Sequence, residues 1–491
     1  MQVVKMELPP GIARAGTEYS VEGRYFDADL ARWHQGNMQP IGGWREISDS
    51  AVTGKPRAIT TWLDKSNQIW AGIGTHSGLF VMTQTGSVTD ITPAGFTSGR
   101  ADAEFGGGYG SGVYGAGTYG TPRADVSVVN PASMWTLDVF DEFLIGCMPG
   151  DGIVYDWDLN TSNAAVAVTN APTGCSAVFV TNDLFVMALG ASNDPRRIDW
   201  SSRGNRTIWT PAATNTAGSV QLQTNGKIIC GKRFIGGELI FTSVDVHLAR
   251  YIGAPSVYVF DRLAGGCGII SPQAVAIVGA QAFWMSENNF WMYNGYVQAM
   301  PCDVYDYVFT GMNDAQKSKV YAVHNSAFGE VWWFYPRGDS FECDSYVIFN
   351  YLDGFWNIGS LSRACGTNQD VFGKPLMIDS DGQVYEHEIG NMRDDRQSRI
   401  RSAPVTMANG ERFIYAREYD PDEQTAGDST VKFYTKYRAN GDEYEYGPYA
   451  SASPKVVRFS GNFVAWEWTF ESGASGRIGV PRLKFSMGGR R

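Results

Sequence analysis

Apolar and aromatic positions along this chain fall in short runs broken by Gly, Asp, Asn or Pro. They almost nowhere recur at the i, i+3, i+4, i+7 spacing of an amphipathic helix. The clearest units are hairpins, each an apolar strand, a polar turn and a second apolar strand. In order they are TTWLDKSNQIWAGI (60–73), TLDVFDEFLIGC (136–147), AVFVTNDLFVMAL (177–189), ICGKRFIGGELIFT (229–242), AVAIVGAQAFWMS (274–286), YAVHNSAFGEVWWFY (321–335) and GKPLMIDSDGQVYEHE (373–388). Their strand cores, at Ile69, Leu144, Phe185, Leu239, Phe283, Val331 and Leu376, lie 75, 41, 54, 44, 48 and 45 residues apart. Five of the six gaps match the ~40–50 residues of a β-propeller blade, a regularity that a stack of β-sandwiches does not require. GLFVM (78–82), GIVYDWD (152–158), FWMYNG (290–295) and YVIFNYLDGFWNIG (346–359) supply further strands for blades of three or four. The pattern predicts an all-β chain with a propeller over residues 1–390, of seven blades, or six if one hairpin lies outside the ring. After Gly390 the texture changes. RDDRQSRIRS reads as a linker or connecting strand, and six strands from FIYAREYD to PRLKF then predict a C-terminal β-sandwich over residues 391–491.

Composition narrows the class. Trp 15, Tyr 24 and Phe 26 are too many for a disordered chain, and 57 Gly too many for a helix bundle. No apolar run reaches the ~18 residues of a membrane span. The opening MQVVKMELPPG lacks the basic and apolar segments of a signal peptide. Seven scattered cysteines with no CxxC pair fit neither a disulfide framework nor a zinc ribbon, and read as buried thiols in a reducing cytoplasm. The net charge is −11. Residues 1–390 carry 24 basic and 38 acidic side chains, and residues 391–491 carry 16 and 13. An acidic surface does not grip DNA. It serves solubility or, less commonly, lines a channel along which DNA slides without sticking.

The long first gap contains GGGYGSGVYGAGTYGT (106–121), a five-residue repeat inside an insertion spanning 104–122. Its two GxGxxG matches neither follow a strand nor open a helix, so the phosphate-cradle reading fails on context. The insertion is either a plain interblade loop or an assembly loop whose Tyr109, Tyr114 and Tyr119 dock on a neighbour.

No catalytic, cofactor-binding or metal constellation emerges. His34, His76, His247, His324 and His387 form no ligand-spaced pair, and GxSxG and the P-loop are absent. Asp379-Ser380-Asp381-Gly382 resembles the start of a calcium loop, but the later ligand positions are missing and the stretch reads as a turn. Asp303 and Asp306 are among plentiful carboxylates of the kind a glycosidase pairs, and the sequence does not show whether any pair faces a propeller pocket. Arg393, Arg396, Arg399 and Arg401, interleaved with Asp394 and Asp395, read as a solvated or subunit-contact segment rather than a phosphate-binding face.

Several stretches together resemble tail proteins of double-stranded DNA phages. They are LPPGIARAGTEYSVEGRYFDADLARWHQGNMQPIGGW, GKPRAITTW, IGTHSGLFV, VTDITPAGF, CGIISPQAVAIVGAQAFWMSENNFWMYNG, MPCDVYDYVF, GEVWWFYP and VIFNYLDGFWNIG. The most specific are YTKYRANGDEYEYGPY, FVAWEWTF and the closing RIGVPRLKFSMGGRR, and GGYGSGVYGAGTYGTPR is similar to the insert of such chains. Within short-tailed phages the resemblance is to the tail nozzle or tail tube, also called the packaged-DNA stabilisation protein. Similar chains also occur near the tail tip of long-tailed phages. The resemblance implies a structural virion protein without enzymatic activity, made and assembled in the host bacterial cytoplasm. It further implies a homohexameric ring below portal and adaptor, a lumen through which DNA passes non-specifically, and surfaces that receive fibres or spikes. Six copies would carry −66, which suits DNA sliding without condensing on the wall. Two other readings stay open: a propeller that binds a host receptor or polysaccharide, and a propeller glycosidase or lyase.

Overall fold

Each predicted hairpin becomes part of a four-stranded antiparallel sheet, six of them as its two inner strands and the seventh as its two middle strands. In the computed structural model, residues 2–106, 128–407, 412–424 and 428–490 are described. Blade one is Pro56–Leu63, Ile69–Thr75, Gly78–Thr83 and Val88–Asp90. Blades two to six start on the inner strands Thr136–Phe140, Ala177–Val180, Ile228–Phe234, Val275–Val278 and Tyr321–Asn325. Blade seven holds Cys365–Thr367, Leu376–Ile378 and Val384–His387, and takes its outer strand, Trp44–Glu46, from the start of the chain. The chain is therefore a seven-bladed β-propeller, and the ring is closed by a strand from its opposite end.

Glycines and tryptophans explain how the blades pack. A Cβ added at Gly74 of blade one would fall 2.4 Å from the Trp135 ring, and one at Gly231 of blade four 2.2 Å from the Phe179 ring of blade three. Aromatic faces thus rest on bare backbone. Buried indoles spend their N–H on carbonyls across the blades: Trp135 donates to Thr75 O at 2.7 Å, Trp284 to Cys267 O at 2.8 Å and Trp333 to Ala274 O at 3.0 Å. This satisfies the one polar atom each indole takes out of water.

The second domain departs from the expected boundary. Residues 391–491 do form a two-sheet sandwich, but the N-terminal strands Gln2–Lys5 and Tyr25–Asp29 belong to its sheets and not to the propeller. Gln2–Lys5 pairs with Arg482–Arg490, which pairs with Arg412–Asp420 and then Lys455–Val456. Tyr25–Asp29 pairs with Ser398–Ser402, which continues through Phe463–Phe470 and Ser429–Lys436 to Tyr444–Ala450. Alternation drives this: Ser429, Val431, Phe433 and Thr435 are buried, while the residues between them are partly exposed. The two sheets meet over Tyr419, Phe433, Trp468 and Leu483. The propeller is an insertion between two halves of one sandwich. One apolar core runs from blades four to six into the sandwich, so the two parts share an interior.

Candidate functional site

The seven inner strands surround an axial cavity of about 270 Å³. That is room for roughly nine waters at ~30 Å³ each, far less than a nucleic-acid duplex needs. Its wall is mixed: Thr60, Thr136, Asp138, Lys232, Gln273 and Asn368 all face it. Asp138 accepts the Val180 backbone N–H at 2.8 Å and pairs with Arg233 of blade four. Cys230 also lines the cavity, but burial pushes its thiol up to about 12, so it stays protonated and inert. Burial raises the other six thiols as well, and all seven cysteines are free.

A larger and more apolar cavity, about 670 Å³, lies among the connections into blades two to six. Pro131, Met134, Ile229 and Ile270 line it, with Arg100 and Lys317 at its polar positions. The Gly/Tyr insertion springs from this rim. Its stem is the two-stranded ladder Glu104–Gly106 with Val128–Asn130, and Val129 lines the cavity. Tyr109, Tyr114 and Tyr119 lie outside the described residues.

The approach to the stem is held by buried charge. Arg57 is fully buried and reaches Glu342 through both Nη atoms at 2.8 Å and Ala101 O at 2.6 Å. Lys319, also fully buried, binds Asp102 at 2.5 Å and Glu342 at 3.2 Å. The Ala103 N–H donates to Gln316 Oε1 at 3.1 Å. The segment entering the insertion is thus pinned to blade one and to the connection ahead of blade six.

The residues singled out from sequence are not brought together. His247 sits in an Asp245 cluster whose carboxylate also takes Thr224 at 2.8 Å and Arg262 at 3.0 Å. His387 accepts from Arg363 Nε at 3.0 Å, and burial holds it well below the ordinary imidazole range. His324 meets Tyr351 OH at 3.0 Å, His76 accepts the Lys55 N–H at 2.8 Å, and His34 packs on Phe328. Among the described residues no group of His, Cys, Asp and Glu could hold a metal ion. Asp379 Oδ1 takes the N–H of Asp381 at 3.0 Å and of Gln383 at 2.9 Å, the hydrogen bonding of an Asx turn. Asp303 faces Arg24 at 3.1 Å, where the propeller meets the sandwich, rather than lining either cavity.

The arginine segment departs from its expected solvated character at one residue. Arg393 is fully buried and donates to Ile41 O, Glu471 O and Ala474 O. Arg396 pairs with Asp29, Arg399 with Asp27 and Arg401 with Glu443. Arg393 thus meets only backbone carbonyls, while Arg396, Arg399 and Arg401 are neutralised by acids of the same chain and remain 35%, 41% and 22% exposed, a partly solvated face of the sandwich.

Sequence reading missed the buried acids. Glu330 and Glu388 receive Arg32, whose guanidinium lies 3.1 Å from Glu330 Oε2 and 3.0 Å from Glu388 Oε2, with its carbon 3.8 Å over the Phe328 ring. Arg32 belongs to the hairpin Ala31–His34 and Asn37–Pro40, so this contact latches the N-terminal arm onto blades six and seven. Glu238 in blade four is buried. One oxygen accepts the Asn182 N–H at 3.2 Å and the other has no hydrogen-bond partner. Burial raises its carboxyl to about 7. In the unfolded chain it titrates near 4.5, so between these values only the folded state holds the proton. Stability therefore falls as pH rises from about 4.5 to about 7, and the full cost of the buried charge is present above that. Glu238→Gln is expected to remove this slope and to stabilise the protein at pH 8 by a few kcal/mol, on the order of 1.4 per pK unit. Urea midpoints of both proteins across pH 4–8 would check it.

No protein-family model and no curated protein matches the chain. Among solved structures it is similar to virginiamycin B lyase from Staphylococcus aureus, at 6% identity over 70% of this chain and 97% of that one, with a TM-score of 0.41. It is also similar to BamB from Moraxella catarrhalis, at 10% identity over 79% and 97%, with a TM-score of 0.39. The Neurospora crassa Pan2 WD40 domain matches at 8% identity over 71% and 97%, with a TM-score of 0.42. No helix among the described residues is long and apolar enough to cross a membrane.

Proposed function

We propose that this chain is a structural subunit of a phage tail nozzle or tube, a ring that retains packaged DNA, guides its ejection and docks fibres or spikes. The observation that carries the reading is the joining of the chain's two ends. The N-terminal run LPPGIARAGTEYSVEGRYFDADLARWH and the closing RIGVPRLKFSMGGRR supply much of the phage-tail resemblance, and their strands fold into one sandwich. That sandwich is the natural body of the ring, with the propeller carried on it. The axial cavity holds only 270 Å³, so DNA would pass through a lumen enclosed by several copies and not through the propeller. A homohexamer, contact with adaptor and portal, and a place in the virion tail follow from the same resemblance. No chemistry is assigned, because the histidines are separately engaged and burial raises all seven thiols.

The 670 Å³ apolar cavity favours a second reading, a receptor- or polysaccharide-binding propeller at the tail tip. Antibody-gold labelling of particles from the producing lysate separates the two. Label on a short tail between capsid and fibre tips is expected. Label confined to the tips would favour receptor binding, and particles without label would overturn both.

A further inference from the structure

The sandwich sheet that joins the two chain ends has one face in the core and another that no other segment of the described chain covers. Register fixes the outward side chains. Val3 stands beside Lys484, and Lys484 beside Glu418. Lys5 stands beside Arg482, and Arg482 beside Asp420. Tyr415 neighbours Ser486 and Ser460, and Val456 neighbours Glu418. The alternate residues Ile414, Ala416, Tyr419, Val457, Leu483 and Phe485 are buried in the core. Three apolar side chains project outward, Val3 at 57%, Tyr415 at 44% and Val456 at 69% exposed. Around them Lys5, Arg417, Arg458 and Arg482 are exposed and make no ion pair among the described residues. Of the two acids here, Glu418 is neutralised by Lys484 at 2.8 Å.

The opposite charge is carried by the same chain. Residues 44–390, the propeller, hold 20 basic and 33 acidic side chains, net −13. We infer that this basic, apolar-studded face is a subunit contact that receives the acidic propeller of a second copy. The inference rests on the ring reading and names the surface that would build it. A protein is favoured over a nucleic acid because Val3, Tyr415 and Val456 bury nothing against phosphates, while Asp420 repels them. Two nine-residue strands flanked by strands of four residues or fewer, at ~4.8 Å spacing and ~3.3 Å rise, span roughly 400 Å². A stable pair needs about 800 Å² per partner. One such contact is therefore weak and salt-sensitive, and it gains strength when a ring repeats it.

Sedimentation velocity of the full chain tests this in about 0.05 M and about 1 M salt, between which the screening length falls to ~3 Å. Concentration-dependent association is expected at low salt and its loss at high salt. Lys5→Glu/Arg458→Glu/Arg482→Glu should associate at least tenfold more weakly at an unchanged thermal midpoint. A benzophenone amino acid replacing Tyr415 should crosslink to peptides within 44–390 of another copy. A wild-type chain that stays monomeric at low salt, a triple variant that associates like wild type, or adducts confined to another surface would each overturn the contact. The tail-labelling experiment judges the ring itself. A labelled tail with no such contact sinks this surface alone, and association without tail label sinks the ring alone.

Discussion

Arg32→Ala is expected to cost about 3–5 kcal/mol of stability, because it leaves two carboxylates buried without their cation. Glu330 is 2% exposed, and the Glu388 side chain 12%. Their remaining hydrogen bonds, from Trp332 Nε1 at 2.9 Å to Glu330 and from Asn325 Nδ2 at 3.0 Å and the Gly42 N–H at 3.1 Å to Glu388, do not replace a guanidinium. Arg32→Met combined with Glu330→Gln and Glu388→Gln should recover most of the loss, since the penalty lies in the uncompensated charge and not in a missing attraction. The defect should also depend on pH. Burial already raises Glu330 to about 7 with the arginine in place. Without it the carboxyl holds its proton to still higher pH in the folded state, so the deficit of Arg32→Ala should be smaller at pH 5 than at pH 8. Chemical-denaturation midpoints at both pH values measure this. A loss within about 0.5 kcal/mol, the range of an ordinary surface change, would show that the latch contributes nothing.

Deleting residues 1–46 should abolish cooperative folding altogether, although all seven hairpins predicted from sequence lie beyond it, in residues 60–388. The deletion removes Trp44–Glu46 and opens blade seven, exposing the Val384–His387 edge. It also takes an edge strand from each sandwich sheet, together with Arg32 and the buried Trp33. A shorter deletion of residues 1–5 costs only one edge strand and should leave a single, modestly lowered transition. Near-ultraviolet circular dichroism during heating distinguishes the two. A native-like transition in the 47–491 chain would mean that the ring closes without its N-terminal strand.

The propeller was legible because every blade repeats a local signal. Six of the seven hairpins are the two inner strands of a blade, as in Thr136–Phe140 with Phe143–Cys147. The seventh is displaced by one strand: Leu376–Ile378 and Val384–His387 are the second and third strands of their blade, behind Cys365–Thr367. That inner strand reads CGT, too short and polar to stand out. The membership of Gln2–Lys5 and Tyr25–Asp29 in the sandwich was not legible for a different reason. Tyr25–Asp29 is YFDAD, and its partner Ser398–Ser402 lies more than 350 residues away, where no local pattern announces the pairing. The same distance hid the roles of the charges. Arg32 looked like any other arginine because Glu330 and Glu388 meet it only after blades six and seven are in place. By contrast the Asp379 turn was readable, since its bonding partners are two and four residues away.

The pairing of Gln2–Lys5 with Arg482–Arg490 also sets an order of events on the ribosome. Gln2–Lys5 is synthesised well ahead of its neighbour, since 477 residues separate Lys5 from its register partner Arg482. At ~5–20 residues per second that interval lasts tens of seconds, during which all seven hairpins have been made. Nascent and prematurely terminated chains lack the strand that completes the basic face. A chain halted before Arg482 cannot form this edge of the sheet, so the fold withholds the face until both strands have been made.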